Sequence, residues 1–260
     1  MPTYEEMNFK IPVESGEYRE CSDYVINAIE NIIQNAIDYQ TNKIVINTNL
    51  KLGLPMENIN KIAGPFVEAW AVETFTQVLE DSNNKYLLIN VEARKRLDKS
   101  DVILQFKKKR KHELGITAEV DVKATAEDIP HSGKSPNITS YARIRTAYLE
   151  DPDYLFIILS LKHRVYCCRN KNTQLMDGIM EVVGYKAYDL KYLSLSDISY
   201  NPALGTGQIQ VKDIHYVTIS YRNVWAFCQL LDKKYLASSK RTLDDWIKLA
   251  KQNKWIKFDE

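Results

Sequence analysis

A chain of 260 residues, 45% of them hydrophobic, is long enough to bury one sizeable core. Its formal net charge of +1 excludes an overall basic signature, so any hold on nucleic acid has to come from local patches such as "ARKRLDK" (93–99) and "KKKRK" (107–111). Four cysteines, Cys21, Cys167, Cys168 and Cys228, form no C-x-x-C pair, which speaks against a zinc site or a disulfide framework and for a reducing compartment.

The N-terminal "MPTYEEMNFK" carries no signal-peptide pattern, so a cytoplasmic protein is expected. Val25, Ile26, Ile29, Ile32, Ile33 and Ile37 recur at helical spacing in "DYVINAIENIIQNAID" (23–38), which predicts an amphipathic helix whose apolar face packing explains. A short strand and a turn are expected in "NKIVINTNLKLGLP", then a long helix over 57–81, irregular at Gly64-Pro65, with Glu68 near its middle. Three strand-like runs rich in Val, Ile and Leu follow: "KYLLINVE" (85–92), "DVILQF" (101–106) and "GITAEVDVK" (115–123). The charged hairpin loop "KKKRKHEL" joins the last two. Pro136 after Ser135 predicts a helix start, and Ile138, Tyr141, Ile144 and Tyr148 continue at helical spacing. "YLFIILSL" (154–161) reads as a buried strand, too short to cross a bilayer, and "RVYCC" as another. Beyond it a glycine-containing loop is expected over 197–213, a strand in "IHYVTIS", and helices in "NVWAFCQLLDKKYL" and "TLDDWIKLAKQN". The pattern is that of a mixed α/β (α+β) protein forming a single domain over 1–260, with 197–260 its least legible part.

The chemistry concentrates in "TAEVDVK". Alternation along a strand puts Glu119, Asp121 and Lys123 on one face and Val120 and Val122 on the other. A solvated edge strand would carry this pattern, and so would a site for a hard cation with a lysine beside it to orient water. Asp101 opens one strand and Asp121 lies on its hairpin partner, so pairing brings two carboxylates together, a set that suits Mg²⁺. Glu119 and Asp121 lie about 6–7 Å apart along the strand, too far for both to join one small octahedral shell. "SGKS" (132–135) is not a phosphate loop, because Asp128 stands where the first glycine is needed. His112, His131, His163 and His215 lack metal-ligand spacing.

"SDVILQF", "VDVKAT" and "IPHSGKSPNITSYARIRTAYLEDPDYLFIILSLKH", with the later "DGIMEVVGYKAYDLKYLS" and "ISYNPALGTGQIQVKDIHYV", resemble the HpaI-like type II restriction endonucleases of the PD-(D/E)XK superfamily across nearly the whole chain. A weaker likeness extends to the HincII and EcoRV types. Ser100 stands where the superfamily's proline precedes the first aspartate. The resemblance implies a central mixed sheet flanked by helices and Mg²⁺-dependent hydrolysis of double-stranded DNA. The implied target is a short palindrome, GTTAAC, cut at its centre to blunt ends with 5′ phosphates. It further implies a homodimer, with a cognate DNA methyltransferase as genetic partner. Asp101 and Asp121 would bind the metal, the Val122 carbonyl would add a backbone ligand, and Lys123 would orient the attacking water. The D-x-K pattern favours Asp121 over Glu119. Glu68 resembles the family's helix carboxylate, and a solvated helix residue is its other reading. Lys134, Ser135 and Asn137 become candidate DNA contacts, with Thr139, Ser140 and Tyr141 behind them, and Asn201, Thr206 and Gln208 form a second group in the 197–260 extension. Arg143 and Arg145 read as phosphate clamps or surface charges. Two other classes stay open: a structure-selective repair or junction-resolving nuclease, and a non-catalytic DNA-binding module on the same fold.

Overall fold

The computed structural model describes residues 3–94, 100–107 and 115–257. The loop "KKKRKHEL" beyond Lys107, with His112 in it, and most of "ARKRLDK" lie outside these. The chain divides into two compact units, each built from separate segments. Ser22–Lys134 and Ile157–Tyr188 form one, and Met1–Cys21, Ser135–Phe156 and Asp189–Glu260 form the other.

The first unit is built on a mixed six-stranded sheet. Its strands are β1 (Lys43–Leu50), β2 (Leu88–Ala93), β3 (Val102–Phe106), β4 (Ile116–Ala126), β6 (Leu155–Arg169) and β7 (Met176–Asp189), in the order β1-β7-β6-β4-β3-β2. Helix α1 (Tyr18–Asp38) buries Val25, Ile29, Ile32 and Ile33, the expected apolar stripe. Helix α2 (Met56–Glu80) runs unbroken through Pro65 and buries Ile59, Ala63, Val67, Trp70, Ala71 and Phe75. Ile59 and Ala63 pack with Val165 and Met180 against the sheet. "YLFIILSL" and "RVYCC" are one strand, not two. His163 and Val165 are buried while Lys162 and Arg164 turn outward, so "KHR" keeps the two-residue alternation instead of breaking it. No helix among the described residues is long and apolar enough to cross a membrane.

The second unit holds a three-stranded antiparallel sheet, β5 (Asn137–Ser140), β9 (Gln208–Val211) and β8 (Ile198–Asn201) in that order, with helices α3 (Tyr141–Glu150), α4 (Val224–Leu236) and α5 (Leu243–Gln252). Three expectations are corrected here. The helix after Pro136 starts only at Tyr141, because residues 137–140 are drawn into the sheet by β9. The stretch 197–213 is a hairpin, with Ile198, Ile209 and Val211 supplying its buried face. "IHYVTIS" is no strand: Asp213 accepts the amides of His215 and Tyr216 in a turn, and Tyr216 stands exposed.

The core of this unit contains a fully buried ion pair, Arg145 Nε to Asp232 at 3.2 Å. Arg145 is therefore neither a phosphate clamp nor a surface charge. Asp232 also accepts the hydroxyls of Tyr4 at 2.8 Å and Tyr141 at 2.6 Å, and the Arg145 guanidinium lies near the rings of Trp225 and Trp255. Removing one partner of such a pair leaves the other charge buried alone. Asp232→Ala is expected to lower stability by about 3–5 kcal/mol, read as a shift of the urea midpoint.

Candidate active site and DNA-contacting strands

Strands β3 and β4 pair with Val102 opposite Val120 and Ile103 opposite Glu119. The Asp101 amide adds one more bond, to the Val120 carbonyl at 3.0 Å. Beyond that point β4 continues without its β3 partner, and the Val122 N–H donates to the Asp101 carboxylate at 2.7 Å. Side-chain and strand thus lock together where the ladder ends. In a regular strand the carbonyl of a residue lies on the same side as its N–H, so the Val122 carbonyl is directed past the end of β3, towards Asp101.

Val120 and Val122 are fully buried, as alternation requires. On the opposite face the Lys123 ammonium donates to Asp121 Oδ1 at 2.8 Å. Asp121 is buried, and its second oxygen, Oδ2, has no hydrogen-bond partner. Burial pushes the Asp121 carboxyl up to about 7; Lys123 opposes the shift, and Asp101 and Glu68 add to it. Burial pulls the Lys123 ammonium down, but Asp121, Asp101 and Glu68 outweigh it and hold the group above the ordinary lysine range. Glu68, half-buried on α2, is raised by burial and by Asp101, with Lys123 opposing. The fold has therefore brought together the four groups singled out in the sequence: three carboxyls around one ammonium. Among the described residues no three His, Cys, Asp or Glu side chains form a ready-made metal cage. The oxygen donors, the surplus of negative charge and the partnerless Asp121 Oδ2 fit a hard divalent cation.

The second group of candidates lies on the three-stranded sheet. Lys134 and Ser135 are exposed in a turn where His131, Gly133 and Ser135 all have positive φ. Asn137 is exposed and its Oδ1 accepts Gln210 Nε2 at 2.9 Å, which leaves the Asn137 amide NH₂ outward. Pairing sets Asn137 opposite Gln210, and Gln208 between Ser140 and Asn201. Ser140 Oγ meets Thr206 Oγ1 at 2.9 Å, and Asn201 Oδ1 accepts the Ala203 amide in its own turn. Thr139 and Tyr141, expected behind the outer contacts, do not reach the surface. Both are buried, and the Tyr141 hydroxyl is engaged by Asp232 and by the Trp246 indole N–H, so they support the surface from within.

The sequence profile of the family described as "Type II restriction endonuclease HpaI" matches residues 5–254. The type II restriction enzyme HpaI of Haemophilus parainfluenzae is 60% identical over 254 residues, which covers 98% of this chain and 99% of that enzyme. The chain belongs to the HpaI family of type II restriction endonucleases.

Within this HpaI-family fold two residues escaped the sequence reading. Gln210 lies one alternation beyond Gln208 in "QIQV", where Ile209 and Val211 are the buried pair; recognising 208–211 as a strand would have exposed it. Arg241, in the α4–α5 link, left no local signal. Glu119, the rival of Asp121, accepts the Ser100 hydroxyl at 3.1 Å and is only partly buried. One of its oxygens is thus engaged by the residue next to Asp101. Glu119→Gln is expected to keep single-turnover cleavage within about tenfold of the parent, because an amide oxygen still accepts from Ser100. An inactive Glu119→Gln would place this carboxylate in the chemistry.

Proposed function

We propose that the HpaI-family chain acts as a homodimeric, Mg²⁺-dependent endonuclease of the bacterial cytoplasm. It would cut both strands of a short palindrome, GTTAAC, at the centre, and a cognate DNA methyltransferase would protect the host's own copies. The observation that carries this reading is the buried Asp121 carboxylate, one oxygen on Lys123 and the other without a partner, beside Asp101 and Glu68. The dimer follows from symmetry: one centre cuts one strand, and a two-fold protein matches a two-fold site.

Asp101, Asp121 and the Val122 carbonyl would hold the cation. When bound, Mg²⁺ supplies the positive charge that offsets the scissile phosphate and makes water a better nucleophile at neutral pH. Lys123, kept cationic by the acids around it, orients the attacking water and stabilises the charge that develops on the phosphoryl oxygens. Water enters in line, the bond to the 3′ oxygen breaks, and the phosphate stays on the 5′ side. Glu68 takes part as a second acid facing Lys123 and Asp101. On the other sheet, Asn137 and Gln208 present side-chain amides, which offer a donor and an acceptor together to a base edge. Lys134, Ser135, Ser140, Asn201 and Thr206 serve as phosphate contacts or supports for that surface.

Asp121→Ala and Lys123→Ala are expected to abolish Mg²⁺-dependent cleavage of a GTTAAC duplex while binding measured with Ca²⁺ survives. Turnover near the parent rate in either variant would remove that residue from the mechanism. Asn137→Ala is expected to weaken binding to GTTAAC by about 1–3 kcal/mol more than binding to an unrelated duplex. Equal losses on the two DNAs would make Asn137 a backbone-positioning residue.

A further inference from the structure

The turn that joins β8 to β9 is held from behind by one side chain. Arg241 Nη2 donates to the carbonyls of Pro202 at 3.1 Å and Gly205 at 2.8 Å, and Nε donates to the Tyr200 hydroxyl at 2.8 Å. That hydroxyl donates onward to the Thr206 carbonyl at 2.8 Å. One guanidinium thus reaches, directly or through Tyr200, three carbonyls of a six-residue connection. The connection would otherwise be slack, since Gly205 and Gly207 both have positive φ, at 52° and 89°. It is also tightly wrapped. A Cβ at Gly207 would run into the Tyr200 ring, and the Gly207 carbonyl accepts the Tyr141 amide at 3.0 Å. Thr206 Oγ1 meets Ser140 Oγ on β5, so the turn and β5 form one continuous surface. Gln208, at the end of the turn, has a side chain with no hydrogen bond among the described residues.

The geometry points to Arg241 as the positioning residue of the DNA-reading surface: it holds the 202–207 turn, and Gln208 with it, in the conformation from which base edges are read. This rests on the proposed assignment of that turn to DNA contact. Base readout demands placement to within about half an ångström, and a planar fork of fixed donors can impose that on several carbonyls at once. A lysine ammonium cannot span the same acceptors. Nη2 and Nε of Arg241 are engaged by the turn carbonyls and the Tyr200 hydroxyl, which sets it apart from a phosphate clamp.

The test compares Arg241→Ala, Arg241→Lys and Gln208→Ala with the parent enzyme. Dissociation constants are measured with Ca²⁺, over a range of salt, for the duplex that the enzyme cleaves and for an unrelated duplex. Both Arg241 variants are expected to reduce the ratio of specific to unrelated affinity by about tenfold or more, with binding to unrelated DNA and its salt slope unchanged. Lysine is expected not to rescue. Equal weakening on both duplexes, a salt slope shallower by about one, and rescue by lysine would instead make Arg241 a phosphate contact and overturn the proposal. A loss of the ratio in Gln208→Ala but in neither Arg241 variant would overturn it while leaving the turn as a DNA reader. An unchanged ratio in all three would sink the assignment of the turn itself. Should Arg241→Ala fail to fold, Arg241→Lys, which keeps length and charge, carries the comparison.

Discussion

The register of β3 on β4 is the constraint on which the site depends. Val102 opposite Val120 places Asp101 at the end of the ladder, where its carboxylate takes the Val122 N–H, and places Asp121 and Lys123 just beyond. A slip of one residue would exchange faces along the whole strand, driving Asp121 and Lys123 into the core and Val120 and Val122 out of it. Exposing two valines and moving the Lys123 ammonium away from its acids make that alternative costly, so the hydrophobic pattern that folds the sheet also aims the carboxylates. The Asp101–Val122 bond adds a polar latch to the same register.

A second feature is electrostatic conflict tolerated for use. Three carboxyls surround one ammonium, and one buried oxygen of Asp121 is left without a partner. A partnerless buried polar atom costs about 1–3 kcal/mol, so the arrangement is held at a cost to stability. The Arg145–Asp232 pair shows the contrast: that carboxylate is equally buried but collects Arg145 and two tyrosine hydroxyls. Two buried aspartates in one chain are thus treated oppositely, one saturated by its surroundings and one left with an open position. The difference agrees with the proposal that Asp121 holds a cation while Asp232 is structural.

Much of this was legible in the sequence, and the failures have a common cause. The alternation in "TAEVDVK", the helical spacing of α1 and the two C-terminal helices are local patterns, and they survived folding. Glu68 sits mid-helix among apolar neighbours, and only packing of α2 on the sheet brings it to Asp101; its chemistry came from resemblance, not from spacing. The misread segments were those decided by distant partners. Residues 137–140 carry a helix-like start signal, yet β9, some seventy residues on, pairs them as a strand. The hairpin over 198–211 looked like a loop because its strands are short and its turn holds two glycines. Arg145 looked like a phosphate clamp or surface charge because nothing nearby in the chain announces Asp232.

The groups proposed for hydrolysis and those proposed for base reading belong to different sheets. The carboxylates and Lys123 belong to the six-stranded sheet, whose central strands β4 and β6 are the most buried, while the amides proposed to read DNA belong to a small sheet of short strands. Buried central strands tolerate little change, because every side chain there touches many others. Short strands with one solvated face tolerate much more, provided their backbone is braced. On the proposed assignment, substitutions at Asn137 or Gln208 would alter which base edge is matched and leave the packing around Asp101 and Asp121 as it is. The chain runs from β4 through residues 127–136 into β5. If the proposed roles hold, specificity can change by surface substitution while the hydrolytic groups stay fixed, and the burden of accuracy falls on whatever stiffens the small sheet.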